Sequence, residues 1–587
     1  MQRMPWWMPA VVVALGVLVY ANSLNGPFIF DDGHGITQNP SVRQLWPIWD
    51  ALVPPGTSGM AGRPVVNLSF ALNYAVGEYE VFGYHVVNLA IHILAGLTLL
   101  GVLRRAKLGN WVALTAAVLW LVHPVLTESV VYISQRTEMM MGLFLLLTFY
   151  CFLRSLDSAK AGRWQLAAVV ACGLGMGSKE VMAAAPVLVL AYDYVFVTGS
   201  LSRTWRERRG FYIGLAATWL MLPLLIGGVS MWAKMGNRAQ GLTSWEYAKV
   251  QCTILVHYLR LCLWPTGLVV DYEGWPRVVT LRDILPQGLL IVGLVAAAFW
   301  GTARRYWWGF LGLWFFAILA PTSSFIPLPG EIGAERRLYM PALAVVLFVV
   351  ISLNHLLKTR PRQIAGIVAA LGVTGVFGWL TWQRNRDYRS VIDIWSATVA
   401  EMPHNYRAQN NLGIALDEAG RNAEAEVHYR LAVAGDPRDP RAWVNYASLL
   451  AEAGRHEDAV KYYQRAAALP PVNIDTLMNL GVTLGKLERY PEALQVFASA
   501  ARLDPESVKA RYNLGFTLAK MHRYADAVPR FREALELQSN SVAILYGLGN
   551  ALVQSGQTND ARQVLTDAAR LDPKSELIQK LLERLGP

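Results

Sequence analysis

Two carboxylates, Asp31 and Asp32, stand side by side in FDDGHG, where the first apolar segment of the chain gives out, and His34 follows them. Further charged or titratable groups border later apolar segments. They are Arg63 in GRPVVN, His123 and Glu128 in HPVLTE, Arg136 and Glu138 in SQRTE, Lys179 and Glu180 in SKE, and Glu335, Arg336 and Arg337 in GEIGAERRLY. Such residues are costly next to a bilayer, which makes them functional candidates. One chemistry suits the set. A sugar carried on a lipid phosphate has a good leaving group and needs no general acid. It needs one carboxylate to take the acceptor's proton and cations to hold the departing phosphate. Glycoside hydrolysis, by contrast, uses two carboxyl groups. An Asp of the first loop supplies the base here, and Lys179, Arg336 and Arg337 supply positive charge.

Each group also has a plainer reading. Asp-Asp-Gly is good turn chemistry, Arg336 and Arg337 could anchor an interface below Tyr339, and Lys179 with Glu180, or Arg136 with Glu138, could simply neutralise each other. His123 precedes Pro124 and suits a cap, while Arg63, next to Pro64, could order the first loop or touch acceptor. His85, His92 and His257 are as readily structural. The four cysteines show no CxxC or Cys/His spacing. No His/Asp set has ligand spacing either, so neither a tight metal nor another cofactor is expected.

The elements that position these groups follow from composition. The 587 residues are 54% hydrophobic and 16% charged, and the mean hydropathy is +0.30, which reads as a polytopic membrane protein. The net charge of +11 comes from short basic runs between apolar segments, so topology accounts for it and a nucleic-acid partner is not needed. The character changes near residue 385. Residues 1–385 carry the apolar stretches and 386–587 are amphipathic.

The second part is a repeat array. Gly413, Ala447, Gly481, Gly515 and Gly549 recur at a period of 34, followed by Ala425, Ala459, Ala493, Ala527 and Ala561, then Tyr429, Tyr463, Phe497, Phe531 and Leu565. Prolines close the units at Pro437, Pro471, Pro505 and Pro573, with Ser539 the departure. This pattern resembles the tetratricopeptide repeat (TPR), a helix-turn-helix unit. Five repeats and a capping helix from Ser575 to Leu585 predict a superhelix whose groove binds an extended polypeptide or a protein partner.

Apolar windows predict about eleven spans, at about 7–24, 85–103, 111–123, 138–153, 164–177, 181–198, 211–229, 286–301, 306–320, 338–357 and 363–381. Basic residues at Arg3, Arg104/Arg105/Lys107, Arg154/Lys160/Arg163, Arg203/Arg206/Arg208/Arg209, Arg304/Arg305 and Lys358/Arg360/Arg362 then share one side. This places the N-terminus in the cytoplasm and the repeats in periplasm or lumen, of a bacterial inner membrane or the endoplasmic reticulum. Glu246, Lys249, Thr253, His257 and Arg260 form a polar stripe that argues against a twelfth crossing. The first segment fits a signal peptide loosely, but it is expected to remain and hold the carboxylates at the surface.

Taken together, FDDGHG, RPVVNLSFALNY, GYHVVNLAIH, HPVLTESV, SKE, GAERRLYMP and the TPRs resemble the TMTC proteins, transmembrane and TPR-containing O-mannosyltransferases. More distantly they resemble the protein O-mannosyltransferases (PMT) of the GT-C membrane glycosyltransferase class. The resemblance implies an all-α fold and an inverting transfer of a mannose-like hexose from a polyprenyl-phosphate donor to a protein Ser or Thr hydroxyl. It makes Asp31 the base and Asp32 its supporting neighbour, although the second acidic residue is Asp where PMT has Glu. Two alternatives stay open. One is a transferase or ligase acting on a cell-surface glycan or lipid, and the other is a non-catalytic membrane-anchored TPR scaffold.

Overall fold

The computed structural model describes residues 4–227, 243–276, 280–327, 331–357 and 359–586. Arg3, Gly330, Lys358 and the end of the predicted span at 211–229 lie outside them. Among the described residues every regular element is helical. The chain forms two compact units, Met1–Ala408 and Gln409–Pro587.

The first unit is a membrane-type helical domain. Among the described residues five helices are long and apolar enough to cross a bilayer: Val81–Arg105, Ile133–Leu156, Glu180–Thr198, Arg282–Ala303 and Pro361–Asp387. A bent pair, Asn110–Leu121 and Pro124–Val131, is a sixth if counted as one span. Several of the other eleven windows fall on shorter apolar helices, Trp7–Ser23, Trp307–Leu319 and Pro341–Leu356. The 52° bend has a local cause. Pro124 lacks an N–H and clashes with a continuing helix, and His123 caps the new turn, its Nδ1 accepting the Val125 N–H at 3.3 Å while Nε2 bonds the Cys262 carbonyl at 3.0 Å.

The first helix is part of this packing. Met8, Val12 and Tyr20 are buried, and Gly16 lets Ile93 approach so closely that an added Cβ would sit 2.7 Å from it. At its exit, Asn22 donates to the Trp382 carbonyl at 2.9 Å, and Asn385 donates to the Val19 carbonyl and to Asn22 Oδ1 at 2.9 and 2.8 Å. The ends of the first and last long apolar helices are thus stitched together just before the acidic loop. Ser244–Leu263 is a helix but is not among the candidate spans. It buries Tyr247, Gln251, Ile254 and Tyr258 on one face and turns its predicted polar stripe the other way.

The second unit consists of helix pairs, from Tyr406–Glu418, whose first three residues precede the unit's boundary, with Asn422–Gly435 through Val542–Gln554 with Thr558–Leu571, closed by Glu576–Arg584. The alanines of the repeat, from Ala425 to Ala561, are fully buried. The glycines are required by contact. A Cβ at Gly481 would lie 2.5 Å from Phe497, and one at Gly549 would lie 2.5 Å from Leu565. Ile578 and Leu581 of the last helix cover the array's final core.

Candidate active site

The acidic loop leaves the first helix through a strained residue. Phe30 has φ +43°, a conformation that a bulky side chain adopts only when its surroundings impose it. Three bonds do so. Asp32 Oδ2 accepts the Ile29 N–H at 2.9 Å, its Oδ1 accepts the Ser134 N–H at 2.7 Å, and the Tyr132 hydroxyl accepts the Asp31 N–H at 2.7 Å. The Phe30 ring also meets Trp395 edge-on at 5.5 Å.

This backbone separates two identical side chains. Asp32 is fully buried with both oxygens committed, and burial pushes its carboxyl up to about 7 against the pull of the two N–H groups. Asp31 is half-buried, its N–H fixed by Tyr132. His34, two residues on, is exposed.

Behind the loop, Asn67 of GRPVVN binds the segment together. It accepts from Asn39 at 2.9 Å and donates to Ser41 Oγ and the Ala51 carbonyl at 3.0 and 2.8 Å. Sequence reading missed both Asn67 and Tyr132. The former sat inside a motif already singled out for Arg63, whereas the latter, between HPVLTE and SQRTE, gave no signal.

The basic residues divide by what they hold. Arg336 is buried, but the charges of Glu128 and, from the acidic loop, Asp31 overcome that burial and raise its pKa. Its Nη1 donates to Glu128 Oε1 at 2.5 Å and its N–H to Oε2 at 2.8 Å, and Glu331 forms a second ion pair with it. Arg337 spends its N–H groups on the Thr322, Ile332 and Glu331 carbonyls, at 3.0, 3.3 and 2.8 Å. Arg136, fully buried, donates to Asn88 and Asn73 at 2.6 and 2.7 Å and lies 4.4 Å over the Phe70 ring. Lys179 pairs with Glu138 in a buried bridge, and Arg63 stands 3.8 Å from Glu180. Glu335 accepts from the Val269 N–H and the Tyr272 hydroxyl at 2.5 and 3.1 Å, and burial raises its carboxyl to about 8. The structure therefore brings Asp31, Asp32, Glu128 and Arg336 together with Tyr132, and it sets Lys179, Glu138, Glu180 and Arg63 in a second group.

Among the described residues no set of three or more His, Cys, Asp or Glu side chains is arranged to hold a metal ion. What the first group can do is hold a nucleophilic hydroxyl at a carboxylate with a guanidinium beside it.

The family model for dolichyl-phosphate-mannose-protein mannosyltransferase matches residues 63–226, a stretch that contains Glu128, Glu138 and Lys179 and begins after the acidic loop. Tetratricopeptide-repeat models match 383–440, 410–474, 478–516 and 518–585. The chain is similar to a protein O-mannosyl-transferase of Caenorhabditis elegans, 25% identical over 73% of this chain and 62% of that one. It is also similar to the protein O-mannosyl-transferase TMTC4 of Mus musculus, 26% identical over 73% of this chain and 66% of that one. It thus spans slightly less than two thirds of the length of these relatives. Among solved structures, YrrB, a TPR protein with an unusual peptide-binding site, aligns with 33% of this chain and 99% of its own, at 19% identity and a TM-score of 0.31.

Proposed function

We propose that this chain, which is TMTC-like and related to the protein O-mannosyltransferases, is an inverting membrane glycosyltransferase. It moves a mannose-like hexose from a polyprenyl-phosphate donor to a Ser or Thr hydroxyl of a polypeptide. The observation that carries this reading is the unequal treatment of the acidic pair. Asp32 is consumed as a brace, whereas Asp31 is held by its own N–H, is only half-buried, and lies within the electrostatic reach of Arg336.

In the reaction, the acceptor hydroxyl gives its proton to Asp31 as its oxygen attacks the anomeric carbon. The bond from that carbon to the phosphate oxygen breaks, and the polyprenyl phosphate leaves with both electrons. Arg336 stabilises the developing charge, displacing Glu331 from it, while Glu128 keeps the guanidinium aimed. Arg337 holds the loop that carries Arg336. Lys179 adds positive charge from the second group, with Arg63, Glu138 and Glu180 around it on the acceptor side.

With the eleven crossings that the apolar windows predict, the basic runs would put the N-terminus in the cytoplasm. The acidic loop and the TPR unit would then be periplasmic or lumenal, where the repeats recruit the polypeptide. The test is mass spectrometry of exported proteins and surface glycans from cells carrying the wild type or Asp31→Asn. Loss of hexose from Ser/Thr peptides in the variant supports the proposal. Loss from a glycan alone moves the acceptor, and an unchanged profile sinks the catalytic assignment.

A further inference from the structure

An apolar cavity in the first unit lies away from the acidic loop. It encloses about 110 Å³, and its lining is aliphatic and aromatic, with Leu103, Ala106, Leu108, Phe196, Trp307 and Ala344 among the residues that form it. Among the described residues no charged side chain lines it. Water finds few partners in such a space, and a hydrocarbon chain fits its chemistry.

The helix Val81–Arg105 fixes where it is. His85 near its start bonds the Gly26 carbonyl beside the acidic loop, whereas the cavity takes Leu99, Val102 and Leu103 from its far end. At about 1.5 Å per residue, some 30 Å separate His85 from Arg105.

Of the basic residues at this far end, which include Arg104, Arg105 and Arg304, two are exposed and have left-handed backbones. Lys107 sits between the lining residues Ala106 and Leu108, and Arg305 two residues before Trp307. Their φ angles are +63° and +64°. Among the described residues neither has a carboxylate partner in an ion pair. Arg305 reaches across to the lining strip of Phe196. A Cβ at Gly199 would lie 2.6 Å from its Nη1, so the glycine leaves the space that the guanidinium occupies.

We infer that this end of the membrane unit binds an anionic glycerophospholipid, with one acyl chain in the cavity and its phosphate between Lys107 and Arg305. The occupant follows from the combination of parts. An apolar slot alone would take any lipid, but two unneutralised cations beside it favour a headgroup with net negative charge. The site is separate from the transfer reaction and does not depend on it.

The full-length protein in detergent is titrated with phosphatidylglycerol and, separately, with phosphatidylcholine of the same acyl chains, and bound lipid is counted by native mass spectrometry. One phosphatidylglycerol should be retained at least about tenfold more tightly than phosphatidylcholine, a difference of about 1.4 kcal/mol. Lys107→Gln with Arg305→Gln should reduce that preference to less than about twofold. Ala344→Phe, which fills the slot, should release the lipid whatever its headgroup. Ala106→Phe, at the half-exposed edge, repeats the test should Ala344→Phe fail to fold. Equal retention of the two lipids by the wild type, or full retention by a folded slot-filling variant, overturns the inference. So does displacement of phosphatidylglycerol by stoichiometric polyprenyl phosphate, which would make the slot a donor site.

Discussion

Asp31→Asn keeps the shape of a half-buried side chain and removes its ability to take a proton. Transfer should fall by about 10²–10⁴-fold, the usual weight of a general base, with an unchanged melting temperature. Asp32→Asn is a different experiment. Both carboxylate oxygens accept backbone N–H groups, and an amide can accept only one of them. The other is stranded in the interior at a cost of about 1–3 kcal/mol, so this variant should lose stability as well as activity. The titration of Asp32 has a definite sign. Its folded-state carboxyl sits near 7 and its unfolded one near the ordinary value of about 3.9, so the folded state binds the extra proton between them. That stabilisation is complete below the unfolded value and is lost as pH rises through 7, with a slope of at most about 1.4 kcal/mol per pH unit. Melting temperatures between pH 5 and 8 should fall more steeply for the wild type than for Asp32→Asn. Equal slopes would show Asp32 ionised throughout. Glu331→Gln removes a competitor for Arg336 and should lower the donor KM while leaving kcat nearly unchanged.

A loop can aim a carboxylate only if the elements beneath it are rigid, and Asn67 does this for the acidic loop by bonding at once to Asn39, Ser41 and the Ala51 carbonyl. Asn67→Leu preserves bulk and breaks all three. Limited proteolysis should then cut within residues 33–60 well before the helices open, and activity should fall with it. Protection equal to the wild type would mean that the loop is held from elsewhere. Much of this architecture was legible in the sequence. The period of 34 exposed the repeats because each unit buries the same small residues, and the acidic pair stood out because charge beside an apolar run is rare. The polar stripe of Ser244–Leu263 was readable for the same reason, since an amphipathic helix writes its two faces into its spacing. What stayed hidden was contact between distant segments. Nothing near Tyr132 announces that its hydroxyl takes the Asp31 N–H, and nothing around Asn22 and Asn385 shows that they meet. Nor could charge alone tell Arg336 from Arg337. Adjacent positions on one short helix send the first to Glu128 and the second into a cage of carbonyls.

The repeat unit allows a prediction about the molecule as a whole, because neighbouring repeats in such arrays stabilise each other in sequence. Gly481 and Gly485 lie on the same helix, Ile474–Lys486, in the third of five repeats. A side chain at Gly481 meets Phe497 at 2.5 Å, whereas one at Gly485 meets nothing within 4 Å. Gly485→Ala should therefore stabilise the array by up to about 1 kcal/mol, as expected for replacing glycine within a helix. Gly481→Val should destabilise it by about 1–3 kcal/mol through overpacking. Because the damage falls in the middle of the array, calorimetry of the Gly481→Val protein should resolve the flanking repeats as separate transitions. The same pair of variants tests the role of the repeats in transfer. If they deliver the polypeptide, Gly481→Val should raise KM for a long unfolded acceptor and leave transfer to a short serine-containing peptide unchanged, while Gly485→Ala alters neither. A parallel loss on both acceptors would instead make the repeats part of the catalytic unit's own stability.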